Sequence, residues 1–408
     1  LEKRPGDAAL LLRLGRIQRM LGRYLEAESS LLRAARLDPL DDSAQGELAL
    51  VYLAQGKPAK AIAAYDQAIA LRPDQASYYS GLSQAWTTQG RPEHALALLR
   101  YALPIVSRPA PLYAAMSGLY LRRGEPPLAL EALEEGMREL GEETQLLLAL
   151  GTYYQSQADF DRAEETYRHA MTAYSEEAEP TGGSPALALA GFQVGRGQVT
   201  EALAEYERAL ALDPQNANAH LALGNAHGLL GQEEEAVSAY SNAIALAPQL
   251  EGAYSSLAGV YRRQAHWSDA QEVYEMGRVA VPTAVALLME ESDLLFQRGD
   301  EAGALTLLDQ AVQRSPSART YIARAALYRV LGRPEDALGD LEAARQLEPG
   351  SVEALVALGS LYQGQGKTAD AKEAYRQATS LAPGVAAPYL GLAELANQQG
   401  DENEARWQ

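Results

Sequence analysis

The sequence predicts an all-α solenoid of repeated helix pairs, and three observations carry the prediction. The first is a recurring stretch: Ala202, Tyr206, Ala209 and Pro214 return as Ala236, Tyr240, Ala243 and Pro248 thirty-four residues later, and as Ala61, Tyr65, Ala68 and Pro73 upstream. Spacings of four and three put those side chains on one helix face, and the proline stops the helix. The second is the period itself, since self-similarity near thirty-four residues marks a solenoid in which the 408 residues count units rather than globular domains. The third is a pair of positions in every unit that hold only small residues, which lets two helix backbones approach closely.

A turn residue serves as the ruler. It falls at Gly22, Gly56, Gly90, Gly124, Ala158, Gly197, Gly231, Ala265, Gly299, Gly332, Gly366 and Gly400, which marks twelve units. Five residues after each mark stands alanine, from Ala27 to Ala405. Seven before each mark stands Gly, Ala or Ser, as at Gly15, Ala49, Ser83, Gly224 and Gly359. Larger apolar residues flank these sites: Leu14, Leu48, Leu82 and Leu358 in first helices, Leu31, Tyr65, Tyr167 and Tyr375 in second helices. Replacing one of the alanines by leucine is therefore expected to overpack a helix contact.

This pattern resembles the tetratricopeptide repeat, and the resemblance runs from end to end of the chain. It implies antiparallel helix pairs stacked into a right-handed superhelix, with first helices lining a concave groove and stability drawn mainly from neighbouring units. It also locates two known ligand devices. The first lysine of the peptide-carboxylate clamp would fall where this chain has residues such as Leu12, Gly46, Ser80, Met289 and Val356. The asparagine ladder would fall where it has Arg13, Glu47, Gly81, Ala222 and Ala323. Neither device is present, so recognition of a chaperone C-terminus is not expected.

Two irregularities break the period. Five extra residues fall in 175–185, a Pro- and Gly-bearing stretch read as an inserted loop between a solenoid segment of 1–174 and one of 186–408. One residue is missing between Gly299 and Gly332, and there the usual apolar position holds Glu291 and, one unit on, Arg324. Equivalent positions on adjacent first helices should be neighbours, so these two charges are expected to pair. Both ends cut across a unit: Pro5 lies thirty-four residues before Pro39, and Gln408 falls inside a second helix. The chain reads as a fragment, or as one whose ends are completed by another copy.

Composition bounds the chemistry. There is no cysteine, so disulfides and thiolate metal sites are excluded while the compartment stays open: cytoplasm, periplasm or exterior. The net charge of -19 argues against indiscriminate attraction to nucleic acid or anionic membrane. No apolar run reaches the roughly 18–20 residues that span a bilayer. No nucleotide loop, zinc spacing or nucleophile motif is visible, so no enzyme activity, cofactor or metal is expected. His220 and His227 share a helix face but occupy repeat positions held by Tyr254 and Tyr261 in the next unit, which favours packing over ligation.

What the inner wall does hold is Arg13, Arg16, Arg19, Arg122, Arg262, Arg263, Arg319 and Arg329, set against Glu47, Glu290, Asp293, Glu353 and Glu394. Eight cations against five anions leave +3 in a strongly acidic chain, a mildly basic groove that would focus an anionic ligand inward. The planar guanidinium fork suits carboxylate and phosphate. The bland alternative is that exposed first-helix sites simply tolerate arginine. The reading is a non-enzymatic interaction scaffold that takes an acidic peptide first, a nucleic-acid backbone second and an anionic glycan third. Its rivals are head-to-tail self-assembly into a ring or filament through the open ends, and a targeting arm of a larger enzyme.

Overall fold

A computed structural model describes residues 7–176 and 184–398. Among them lie 23 α-helices. The first unit holds α1 (Ala8–Met20), α2 (Tyr24–Leu37), α3 (Asp42–Ala54), α4 (Pro58–Leu71), α5 (Ala76–Thr88), α6 (Pro92–Ala102), α7 (Ala110–Arg122) and α8 (Pro126–Leu140). It continues through α9 (Thr144–Ser156), α10 (Phe160–Glu176), α11 (Pro185–Gly195), α12 (Val199–Leu212), α13 (Ala217–Leu229) and α14 (Glu233–Leu246). Next come α15 (Glu251–Arg263), α16 (Trp267–Ala280), α17 (Val285–Gln297), α18 (Glu301–Arg314), α19 (Ala318–Val330), α20 (Pro334–Leu347), α21 (Val352–Gly364), α22 (Thr368–Leu381) and α23 (Ala386–Gln398). The chain divides into two compact units, Leu1–Ala253 and Tyr254–Gln408, with the boundary inside α15. No described helix is long and apolar enough to cross a membrane.

The expected loop at 175–185 falls largely on residues 177–183, outside the described residues; on its flanks α10 runs on to Glu176 and α11 begins at Pro185.

Three local events recur along the chain, though α6 and α8 end differently, in Leu103 at φ -48° and Gly141 at φ 84°. The first helix often starts on a side-chain cap, with Asp7, Asp41, Asn216, Ser317 or Ser351 accepting a backbone N–H of the first turn. It stops where the ruler residue turns left-handed, at φ of 68° for Gly22, 67° for Gly56 and 83° for Gly299. The next residue then donates its N–H back to the carbonyl five positions earlier, as Arg23 does to Gln18 at 2.8 Å, which closes a Schellman turn. The second helix ends in an extended residue forced by a following proline: Asp38, Arg72, Asp213, Ala247, Glu348 and Ala382 stand at φ of -131° to -138°.

At two marks the left-handed residue is alanine: Ala158 at φ 59° and Ala265 at φ 57°. A Cβ in that region costs about 1–2 kcal/mol, partly offset by the lower chain entropy of alanine when unfolded. Ala158→Gly and Ala265→Gly are each expected to stabilise by about 0.5–1 kcal/mol, read as a higher thermal midpoint; a lower midpoint would count against the turn geometry.

Packing follows the small-residue rule. The alanine five residues after the mark is fully buried in every described unit, at 0 % exposure from Ala27 through Ala371. Ala236→Leu is expected to cost about 1–3 kcal/mol in urea denaturation, and an unchanged midpoint would reject the close helix contact. Tyr375 shows why glycine recurs on first helices. A Cβ on Gly359 would stand 2.5 Å from the Tyr375 ring, and one on Gly391 of the next first helix would collide with the same end of the ring. The tyrosine fills the gap between two units and donates its hydroxyl to Gln363 at 3.0 Å.

First helices also pack on the first helices that follow, α1 on α3, α3 on α5 and α5 on α7, which builds a continuous inner wall. Within the first unit the wall curves far enough that a Cβ on Gly22 would lie 3.7 Å from the Gln249 Cβ, at the connection into α15.

The expected pairing of Glu291 with Arg324 is not what forms. Glu291 meets Arg278 of α16, and Arg324 meets Asp340 of α20 and Asp309 of α18. Both positions face second helices, the preceding one for Glu291 and both the preceding one and its own for Arg324, so partners come from there rather than from the adjacent first helix. The missing residue itself lies in the turn between units: Ser315–Ser317 spans three residues where Arg72–Gln75 spans four. Ser317 and Thr320 close this shorter turn with a reciprocal capping box.

Candidate functional site

The eight arginines sit on first helices, and the structure distributes them rather than gathering them. In the first unit, Arg13, Arg16 and Arg19 lie on α1 and Arg122 ends α7, with α3 and α5 between those two helices. In the second, Arg262 and Arg263 end α15, while Arg319 and Arg329 lie at opposite ends of α19.

Their charges are unequally available. Arg16 and Arg19 both close on the Glu47 carboxylate of α3, at 2.8 Å to Oε1 and 2.9 Å to Oε2. Glu47, counted as a separate anion in the sequence, thus holds two of the eight cations in one bridge. Arg262 donates to the Tyr274 hydroxyl at 3.4 Å and opposes the burial that raises the Asp293 carboxyl above its usual range. Beside it Glu290 accepts the Ser255 hydroxyl at 2.7 Å and 2.6 Å through its two oxygens. By contrast Arg13, Arg122, Arg319 and Arg329 are exposed and form no ion pair among the described residues.

Two of these four line recesses: Arg329 a small one of about 100 Å³ formed with α20 and α21, and Arg122 a larger one. The Arg122 recess lies between α5 and α7 and has a volume of about 430 Å³. Its α5 wall is Ser80, Ser83, Gln84, Thr87 and Thr88; its α7 floor is Ala114, Ala115 and Gly118, with Arg122 at one end. The α5 residues recur at three- and four-residue spacing, so the stripe was visible in the sequence as a polar helix face, but nothing there showed that small α7 residues would leave it open. A larger recess of about 800 Å³ lies between α10, α11 and α12, lined by Arg168, Tyr174 and Arg208.

Other polar side chains, the two histidines among them, are engaged locally. Tyr78 donates its hydroxyl to buried Asp42, which Arg72 also reaches at 3.1 Å. That bond and burial raise the Tyr78 hydroxyl far above its ordinary value, burial contributing most. His220 meets the Pro214 carbonyl at 3.2 Å and His227 the Gln232 side chain at 2.7 Å. No cluster of three metal-ligating side chains occurs among the described residues.

Comparison with known proteins follows the same unit-by-unit pattern. Family models described as tetratricopeptide repeat match residues 1–42, 47–112, 146–181, 217–250, 256–319, 318–339 and 352–384, and one described as TPR repeat matches 194–231. No curated protein matches the chain. The crystal structure of yeast Tom70 is similar over 97% of both chains, with TM-score 0.53 and 17% identity, which shows a shared fold. A tetratricopeptide repeat protein from Parabacteroides merdae ATCC 43184 aligns with TM-score 0.45 and 20% identity over 62% of this chain and 98% of that one. With repeat matches spread along its length and helix pairs turning on left-handed marks, the chain belongs to the tetratricopeptide repeat family and has the architecture of a protein-interaction scaffold.

Proposed function

We propose that the chain is a non-enzymatic scaffold that holds an extended, anionic polypeptide along the first-helix face of its units, with arginines as anchors. The observation that carries this reading is the set of exposed guanidinium groups at Arg13, Arg122, Arg319 and Arg329, which have no ion-pair partner among the described residues of a chain with net charge -19. In so acidic a protein, cations without local partners are the groups that attract and orient a negative ligand. A guanidinium gives a carboxylate two parallel charge-assisted hydrogen bonds, and several such contacts spaced along a wall suit an extended ligand better than a compact one.

The test is fluorescence anisotropy with a labelled polyglutamate peptide, comparing the parent chain with the variant in which all four arginines are replaced by glutamate. Binding is expected to weaken at least about tenfold for the variant and to weaken with added salt in the parent. Equal affinity for both proteins would sink the reading. Tighter binding of single-stranded RNA than of polyglutamate would transfer the same anchors to a nucleic-acid backbone.

A further inference from the structure

We propose that the cleft between α5 and α7 is a discrete subsite for one carboxylate-bearing residue of an extended polypeptide, with the carboxylate on Arg122 and the adjoining backbone amide on Gln84. The proposal rests on the scaffold reading above and assigns it a place.

The polar groups of the cleft divide by what they still have to offer. Ser83 donates its hydroxyl to the Ser80 carbonyl at 2.8 Å, Thr87 to the Ser83 carbonyl at 2.7 Å and Thr88 to the Gln84 carbonyl at 2.9 Å. Their donors are committed to the helix; Ser83 is buried, and the more exposed Thr87 and Thr88 keep oxygen lone pairs that suit backbone N–H groups. The Ser80 hydroxyl has no hydrogen-bond partner, but its oxygen is closed off from solvent, so it adds polarity to the wall rather than a contact for the ligand. Gln84 is exposed on the same wall, and its side-chain amide can pair with a peptide group as both donor and acceptor.

The floor keeps the space open and carries the charge. One nitrogen of the Arg122 guanidinium lies 3.7 Å from where a Cβ on Gly118 would stand, so the head group lies back over α7. A single cation in the lining matches a single negative charge: a carboxylate is neutralised there, whereas a phosphate dianion would leave excess negative charge in an already acidic protein. No aromatic ring lines the cleft, so a sugar finds no stacking face. The cation stands elsewhere than in the clamp: Ser80 and Ala114, which line this cleft, hold the first clamp-lysine position without a charge, and Arg122 ends its helix.

The experiment is a peptide array in two series, randomised heptamers centred on Glu and the same heptamers centred on Gln. Each is made with a blocked C-terminus and with a free one. It is probed with the parent chain, Arg122→Gln, Gly118→Leu and a triple variant Arg13→Gln, Arg319→Gln, Arg329→Gln. Gly118→Leu fills the cleft while leaving every charge in place, and its Cβ meets only the mobile end of Arg122. The expected result is preference of the parent for Glu over Gln by about tenfold or more, lost in both Arg122→Gln and Gly118→Leu. Preference among blocked peptides identifies a side-chain carboxylate, and preference confined to free C-termini identifies the chain terminus as its source. If the Glu preference survives both cleft variants but falls in the triple variant, the cleft proposal is overturned and the scaffold reading stands. If the parent shows no preference for Glu or for a free terminus, both are overturned.

Discussion

Arg324→Leu lowers stability by about 3–5 kcal/mol, although it restores the leucine that most units carry at this position. The guanidinium donates two parallel bonds to Asp340, Nε to Oδ2 at 2.8 Å and Nη2 to Oδ1 at 2.7 Å, and a third to Asp309 at 2.8 Å. Its faces lie over the Tyr321 and Tyr328 rings, 5.8 Å and 5.7 Å from their centroids. The Asp340 bond is the main reason its proton is held more tightly than usual. Asp340 keeps only 9% of its side chain exposed, so leucine at 324 strands a carboxylate that cannot reach water. Urea denaturation monitored by circular dichroism gives the sign, and Arg324→Leu with Asp340→Leu should recover most of the loss. A single variant as stable as the parent would show that the network contributes nothing.

Glu291→Leu, the same change one unit earlier, has the opposite sign: it raises stability at pH 8 by about 2–3 kcal/mol. Glu291 is 3% exposed and meets Arg278 with Nε 2.7 Å from Oε2, an approach too oblique for a hydrogen bond; the bond that does form, Nη2 to Oε1, is 3.3 Å. Burial, aided by Glu275 and opposed by Arg278, pushes its carboxyl up to about 7. Because the folded value lies above the ordinary value of 4.5, the folded protein binds the proton more tightly. The resulting stability is complete below pH 4.5 and disappears as pH rises through about 7. The parent therefore loses stability between pH 5 and pH 8, and Glu291→Gln flattens that slope. A slope unchanged in the glutamine variant would reject the assignment. Leucine can be accommodated because Arg278 keeps 22% of its side chain exposed and can turn to water once its partner is gone.

These two residues show how far the sequence reaches. The period, the turn marks and the small-residue positions were legible because each depends on a local rule: a left-handed residue at the turn, a small residue where the paired helix or its tyrosine packs close, a proline after the second helix. The placement of two charges at apolar positions was equally visible. Their partners were not, since Arg278 and Asp309 come from the second helix of the preceding pair, which meets them only when pairs stack, and Asp340 faces Arg324 only once α19 and α20 fold against each other.

The candidate groove divides in the same way. That arginines line first helices follows from the repeat register. That Arg16 and Arg19 share Glu47 while Arg122 faces a recess of about 430 Å³ depends on how α1 meets α3 and α5 meets α7. The sequence by itself determined the architecture of this protein, because every unit repeats a short pattern whose meaning is complete within about one helix pair. Only the tertiary structure decided which charges remain available and where a ligand has room, because neutralisation and free volume are properties of side chains brought together from different units.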